Sequence, residues 1–132
     1  MYHLKLHADS VAWTPLDFPG VSLRVLHADP DTGATSVLTR LAPGAVIPAH
    51  LHTQADETVY VLEGDFVEDG RSHDPGTFFA GKAGVPHGPH STVGGCTVLT
   101  AFSAALDFVL AGGRPDAEPG GAPDCGGGDA IA

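Results

Sequence analysis

Short runs rich in valine, leucine, threonine and aromatic residues recur along the chain, and glycine, proline and aspartate separate them. No long segment repeats apolar residues at the i, i+3, i+4, i+7 spacing of an amphipathic helix. Evenly spaced runs of this length are typical of strands in a sandwich or barrel. The pattern therefore predicts an all-β fold with few or no helices. The predicted strands cover residues 22–27, 34–41, 57–62, 65–68, 76–80 and 96–102.

The strand that begins at Glu57 shows a clear alternation. One face carries Glu57, Val59 and Val61, and the other carries Tyr60 and Leu62. Because side chains alternate between the two faces of a strand, Tyr60 is expected to point away from Glu57. Both faces contain apolar residues, as in a strand that is covered on one side by the barrel interior and on the other by a second layer or a partner.

The composition changes near Ala111. Residues 112–132 contain seven of the 18 glycines and three of the 11 prolines. A segment of this kind has too little apolar surface to fold alone. We therefore expect one folded domain, residues 1–110, and a disordered Gly/Pro-rich tail, residues 111–132. Residues 106–110 fit either a last strand or a short helical turn. A domain of this size has a modest core, which dimerisation would supplement.

The chain of 132 residues carries 16 acidic and 6 basic side chains, for a net charge of -10. No basic patch is available to neutralise nucleic-acid phosphates or to bind an anionic membrane, and no run approaches the roughly 20 apolar residues of a membrane span.

Residues 1–7 lack the apolar core of a secretion signal, and two cysteines make no disulfide framework. These features predict a cytoplasmic protein. The 8 histidines outnumber lysine and arginine together, and imidazole is a common metal ligand.

A candidate metal site accounts for three of the histidines. His50 and His52 are two residues apart, so on a strand both imidazoles lie on the same face. Glu57 begins the next strand and can bring a carboxylate to the same ion, whereas the neighbouring Asp56 would point to the opposite face. His87, in a segment constrained by glycine and proline, is the best third imidazole. Three histidines and one glutamate would leave roughly two positions of an octahedral ion open, as catalytic sites do.

The spacing of these residues resembles the two signatures of the cupin superfamily. The first signature is matched at every defined position, by Gly44, His50, His52, Glu57 and Gly64. The second is matched in part, by Gly76, Gly84 and His87. Lys82 stands where cupins usually have proline, and Ser91 where they usually have asparagine. The resemblance covers about residues 20–105. Within it, the chain is similar to the cupin domain of ChrR-type anti-sigma factors and to the dioxygenases that cleave acetylacetone and dihydroxyacetophenone.

The resemblance implies a double-stranded β-helix, or small jelly-roll barrel, that holds one divalent metal ion through His50, His52, Glu57 and His87. Some cupins of the dioxygenase type use three histidines only, and Glu57 would then be a solvated carboxylate at the start of its strand. Fe(II) and Zn(II) are the metals expected first, and Mn, Ni and Cu also suit imidazole and carboxylate ligands. Single-domain cupins are usually dimers, so a homodimer is expected. His90 has two interpretations, as a surface histidine in a turn or as a partner of the metal ligands that shuttles protons at the pocket mouth.

Three functions fit such a site. We rank first a non-haem metal-dependent dioxygenase that acts on a small diketone, hydroxy-ketone or phenolic compound. The second is a zinc-binding sensor that binds a small ligand without catalysis, as the ChrR-type cupin does. The third is a metal-dependent isomerase or lyase. The fold cannot separate them, because cupins host many unrelated chemistries.

Overall fold

The computed structural model describes residues 1–111. These residues form twelve strands and one short 3-10 helix, Ala8–Ser10. The strands are β1 Thr14–Pro15, β2 Val21–Ala28, β3 Thr35–Leu41, β4 Val46–Ile47, β5 His50–Leu51, β6 Glu57–Gly64, β7 Phe66–Glu68, β8 Arg71–His73, β9 Phe78–Gly81, β10 His90–Ser91, β11 Cys96–Phe102 and β12 Val109–Leu110. Among residues 1–111, no helix is long and apolar enough to cross a membrane.

The strands form a jelly-roll of the cupin type, as the sequence predicts. A six-stranded sheet has the order β1-β2-β3-β11-β6-β9, and a four-stranded sheet has the order β4-β10-β7-β8. A third pair joins β12 to β5, and every strand pair is antiparallel. The main core lies between the two larger sheets, where Ile47 and Phe66 of one sheet pack with Val61 and Val98 of the other.

The six strands expected from the hydrophobic pattern are confirmed, with ends that differ by one or two residues. The pattern does not predict the two-residue strands, because two residues carry no measurable period. Such strands exist through their pairing partners, as β12 does through β5. Residues 106–110 therefore end in a strand rather than a helical turn. The expected tail at residues 111–132 lies outside the described residues, apart from Ala111.

Strand β6 has the two faces that the alternation predicts. Val59 and Val61 are buried in the core, whereas Tyr60 and Leu62 are each more than 40% exposed. Glu57, at the start of the strand, lies on the buried face and is 6% exposed. The strand therefore carries a carboxylate into the barrel and presents an apolar outer face.

Gly64 ends β6 at a point where the chain passes very close to another loop. Its φ of +83° lies in the left-handed region, and a Cβ atom there would stand 2.0 Å from the carbonyl oxygen of Gly95. Only glycine meets both conditions without distortion. This close approach gives a structural reason for the last glycine of the first signature.

Candidate metal centre

Main-chain hydrogen bonds bring His50 and His87 side by side. The N–H of His50 donates to the carbonyl oxygen of His87 at 2.9 Å, and the N–H of His87 donates to the carbonyl oxygen of His50 at 2.8 Å. The N–H of Gly84 donates to the carbonyl oxygen of His52 at 2.7 Å. The segment that carries His87 is thus paired to the segment that carries the other two histidines. This pairing brings the two signatures, which are separate in the sequence, together in the fold.

The four predicted ligand residues converge. Ligand atoms of His50, His52, Glu57 and His87 all lie within 4.8 Å of one another. Oε1 of Glu57 lies 2.9 Å from Nε2 of His87 and 3.3 Å from Nε2 of His52. Nε2 of His50 lies 3.0 Å from Nε2 of His87. Asp56, the adjacent alternative to Glu57, is not part of the cluster, and its carboxylate accepts a hydrogen bond from the N–H of Ala83 at 2.9 Å.

The outer nitrogens of two histidines fix their tautomers. Nδ1 of His50 lies 2.7 Å from the carbonyl oxygen of Pro48, and Nδ1 of His52 lies 2.6 Å from that of Asp107. Because a carbonyl oxygen only accepts, each Nδ1 must carry the hydrogen. A neutral ring then leaves Nε2 with its lone pair directed at the cluster. This is the arrangement in which a histidine binds a metal through Nε2.

The charge states of the cluster suit a cation. Burial lowers the pKa of His50 to about 3, so its ring is neutral at neutral pH. Burial alone would raise the pKa of Glu57, but the facing imidazoles of His52 and His87 outweigh it and lower the pKa to about 2. Burial also opposes protonation of His52, yet the Glu57 carboxylate and the Asp107 carbonyl raise its pKa. The cluster therefore contains an ionised carboxylate and a neutral imidazole, the forms in which these groups bind metals.

Two buried atoms of the cluster lack hydrogen-bond partners, and this bears on whether the cluster fits a metal ion. Nε2 of His52 and Oε1 of Glu57 are inaccessible, and because their short contacts lack the geometry of a hydrogen bond, neither atom has a hydrogen-bond partner among residues 1–111. Buried polar atoms are almost always satisfied, and Nε2 of His50, which carries only a lone pair, also points into the cluster, 3.0 Å from Nε2 of His87. One cation among the four residues would satisfy these atoms together, so the donor set fits a single metal ion.

A cavity of about 170 Å³ opens beside the cluster. Glu57 and His87 form part of its wall, and His87 is the most accessible of the four residues, with 21% of its side chain exposed. The remaining wall is mostly apolar. It consists of Val59, Phe66, Phe79, Ala80 and Gly81, together with the polar residues Glu68 and His90.

His90 is buried rather than exposed in a turn. It is 6% exposed and lies in β10, where it pairs with Glu68 of β7. Nδ1 of His90 lies 2.5 Å from Oε1 of Glu68, and Oε2 of Glu68 accepts a hydrogen bond from the N–H of Gly88 at 3.2 Å. The His90 ring stacks against the His87 ring, with centroids 5.3 Å apart and 22° between the planes. The interpretation of His90 as a surface histidine in a turn therefore does not fit its burial, and its role toward the metal ligands stays a prediction.

The sequence did not single out Glu68 or Asp107. Glu68 shares a strand face with Phe66, so alternation could have placed it in the barrel. Asp107 contributes a main-chain carbonyl to His52, and its carboxylate accepts from the N–H of Thr53 at 2.7 Å and from the Thr53 hydroxyl at 2.5 Å. A main-chain contact leaves no signature in the residue type, so this role was not readable from the sequence.

Comparison with known proteins identifies the family. The model of the family described as the ChrR cupin-like domain matches residues 3–105. The chain is a member of the ChrR cupin-like family. The match begins before the region of about residues 20–105 in which the sequence resembles cupins, and it includes all four residues of the cluster. No curated protein sequence matches this cupin.

Solved structures share the fold of this cupin. The polyketide cyclase RemF from Streptomyces resistomycificus superposes with a TM-score of 0.70 at 22% identity, covering 88% of this chain and 90% of that one. An acetylacetone dioxygenase from Acinetobacter johnsonii has a TM-score of 0.69 at 16% identity, covering 86% and 81%. KdgF from a Halomonas species has a TM-score of 0.63 at 26% identity, covering 73% and 90%.

Proposed function

We propose that this cupin binds one divalent metal ion through His50, His52, His87 and Glu57, and that it is a dioxygenase for a small diketone, hydroxy-ketone or phenolic compound. The observation that carries the proposal is the convergence of the three imidazoles and one ionised carboxylate at the wall of an apolar cavity. Fe(II) is the metal proposed for dioxygenase activity, and Zn(II) is the next candidate.

The chain's own residues define what can bind. His50, His52 and Glu57 are almost completely buried, so a substrate approaches past His87, the most accessible of the four ligand residues. A divalent ion, when bound, supplies Lewis acidity and roughly two free positions for oxygen donors. Phe66 and Phe79 offer apolar contacts to the rest of the substrate. A molecule with two oxygens at one end could bind the metal ion through them, and small apolar groups at its other end would contact Phe66 and Phe79.

The dioxygenase from Acinetobacter johnsonii supports the choice of a β-diketone, because acetylacetone is the compound in its name. A cavity of about 170 Å³ is matched to a molecule of that size rather than to a large one. The strongly negative charge of the chain also disfavours anionic substrates at long range. A neutral, small β-diketone is therefore the first substrate to test.

The proposal is tested by oxygen consumption. The purified full chain is stripped of metal, loaded with Fe(II) or with Zn(II), and incubated in air with acetylacetone, a hydroxy-ketone and a catechol. We expect oxygen uptake with the Fe(II) protein and at least one of these compounds, and little with the Zn(II) protein. His87→Ala should abolish uptake, whereas His3→Ala, at an exposed histidine outside the cluster, should not. Weak metal binding together with no uptake under any condition would overturn the proposal.

Two other functions each have an observation in their favour. Family membership favours a sensor, since the family is described by the ChrR cupin-like domain. Tight stoichiometric Zn(II) binding without turnover of any compound would support that function. The similarity to the polyketide cyclase RemF favours a metal-dependent isomerase or lyase. Conversion of a dicarbonyl compound without oxygen uptake would support this third function.

We also propose that the cupin forms a homodimer through the outer face of its six-stranded sheet. In this sheet Phe78 pairs with Tyr60, and Tyr60 pairs with Leu99. All three are large and at least 36% exposed, as is Leu62. An apolar row of this length on a sheet face is the kind of surface that a second copy covers. Light scattering should give twice the mass of the chain, and a monomeric mass would refute the dimer.

We also propose that the protein is cytoplasmic. Among the described residues, Cys96 is a free thiol and is buried, which is compatible with a reducing compartment. Cell fractionation with an antibody to the untagged chain tests this location.

A further inference from the structure

A second, smaller cavity lies inside the barrel next to the metal centre. It has a volume of about 10 Å³, and four polar residues are among those that line it: Thr39, Glu57, His90 and Thr100. It shares Glu57 and His90 with the wall of the larger cavity. A single water molecule needs about 10–15 Å³ and two to four polar partners. The inner cavity is at the lower limit of this volume and has polar residues in its wall.

Two buried atoms in this wall are without a partner. Oγ1 of Thr39 and Nε2 of His90 are inaccessible, and neither has a hydrogen-bond partner in the described part of the chain. Thr39 is 2% exposed and His90 is 6% exposed, so bulk water cannot serve them. Leaving such groups unsatisfied is costly, and native proteins commonly avoid it with an internal water.

We propose that a water molecule binds in the inner cavity between Oγ1 of Thr39 and Nε2 of His90. Because Nδ1 of His90 faces the carboxylate of Glu68, it carries the hydrogen, and Nε2 is the nitrogen left for the water. The water forms one hydrogen bond with Nε2 of His90 and one with the hydroxyl of Thr39. His90 is then held at both nitrogens, by Glu68 on one side and by the water on the other.

This arrangement makes His90 a positioning residue for the metal centre. Its ring stacks on His87, and it meets the ring of His50 edge-on, with centroids 5.4 Å apart and 85° between the planes. A ring that cannot rotate limits the movement of its two neighbours. Glu68, Thr39 and the water therefore act on the ligands through His90. This consequence rests on the proposed metal function, whereas the water site itself does not.

The decisive comparison is between Thr39→Val and Thr39→Ser. Valine has nearly the shape of threonine but has no hydroxyl, whereas serine keeps the hydroxyl. We expect Thr39→Val to lower the folding equilibrium constant of the metal-free full chain by about tenfold, because it removes a partner of a buried water. Thr39→Ser should retain the water in a crystal structure of high resolution. Thr97→Val, on the outer face of β11, controls for the preference of valine for strands.

A separate measurement uses NMR to observe the two ring nitrogens of His90. In the wild type, ¹⁵N shifts should report Nδ1 as protonated and Nε2 as hydrogen-bonded, and the Nε2 shift should change in Thr39→Val and not in Thr97→Val. The dissociation constant for Zn(II) should rise several-fold in Thr39→Val. A dry inner cavity in the crystal, or a gain in stability in Thr39→Val equal to that of Thr97→Val, would overturn the water site. Failure of the metal proposal would appear differently, as absence of Zn(II) binding in a wild type whose inner water is present.

Discussion

Nδ1 of His52 donates a hydrogen bond to the main-chain carbonyl oxygen of Asp107 at 2.6 Å, although the two residues are 55 positions apart in the chain. The Asp107 carboxylate is fixed in turn by the N–H and hydroxyl of Thr53. The end of the domain therefore holds one ring of the candidate metal centre in the tautomer that binds metal. Mutation of a group that orients a metal ligand from behind commonly lowers metal affinity 10- to 100-fold.

The first prediction concerns this support. Asp107→Ala removes the carboxylate that anchors the loop, so the carbonyl that orients His52 loses its fixed position. We expect the dissociation constant for Zn(II) to rise about tenfold, measured by competition with a chromophoric chelator. Asp31→Ala, at an exposed turn, should leave the affinity unchanged. Equal affinities for the two variants would show that the Asp107 contact does not orient His52.

The second prediction concerns the carboxylate of the cluster. Glu57→Gln keeps the shape of the side chain but removes its negative charge, and the charge is what balances a divalent ion among three neutral imidazoles. We expect metal affinity to fall about 10- to 100-fold. Glu63→Gln, on the same strand but exposed, is the matched control. An unchanged affinity in Glu57→Gln would mean that the three histidines alone bind the ion.

The third prediction compares two glycines with the same backbone angle. Gly64 and Gly44 have φ values of +83° and +82°, but a Cβ has open space at Gly44 and stands 2.0 Å from a carbonyl oxygen at Gly64. Gly44→Ala should cost about 1 kcal/mol of unfolding free energy from the angle alone. Gly64→Ala should cost about 3 kcal/mol or more, because the Gly95 loop must also move. Urea denaturation measures both. Similar costs would mean that the loop adapts freely.

The fourth prediction is a dependence on pH at Asp65. Hydrogen bonds from the main-chain N–H groups of Val93 and Gly94 lower the pKa of this carboxyl. The folded chain therefore favours the ionised form. The stabilisation is present above the unfolded value of 3.8 and is lost as the pH falls through the lower folded value.

The test is the variant Asp65→Asn. It should lower the urea midpoint at pH 7, and the difference from the wild type should shrink as the pH falls from 5 to 3. Asp31→Asn, at an exposed turn, should show no such change. A difference that stays constant with pH would assign the effect to something other than the charge of Asp65.

Most of the candidate centre was predictable because its residues follow a strand period. His50 and His52 are both buried while Leu51 between them is not, and Glu57 shares the inner face with Val59. His87 required the spacing of the second signature, since its place beside His50 arises from main-chain pairing between distant segments. Glu68 and Asp107 depend on which strands and loops become neighbours. That information lies in the packing of the barrel and not in any local pattern.

The separation of the four ligand residues along the chain has a consequence for how the protein matures. Residues 50, 52, 57 and 87 meet only after β6 has entered its sheet and the loop before β10 has paired with β5. A nascent chain that has emerged only as far as the first signature carries three donors and lacks the fourth. The barrel must therefore close before the complete centre exists, so cofactor insertion would follow folding. A metal ion held by all four residues would then bind the folded chain and not the unfolded one, and would stabilise the fold by mass action.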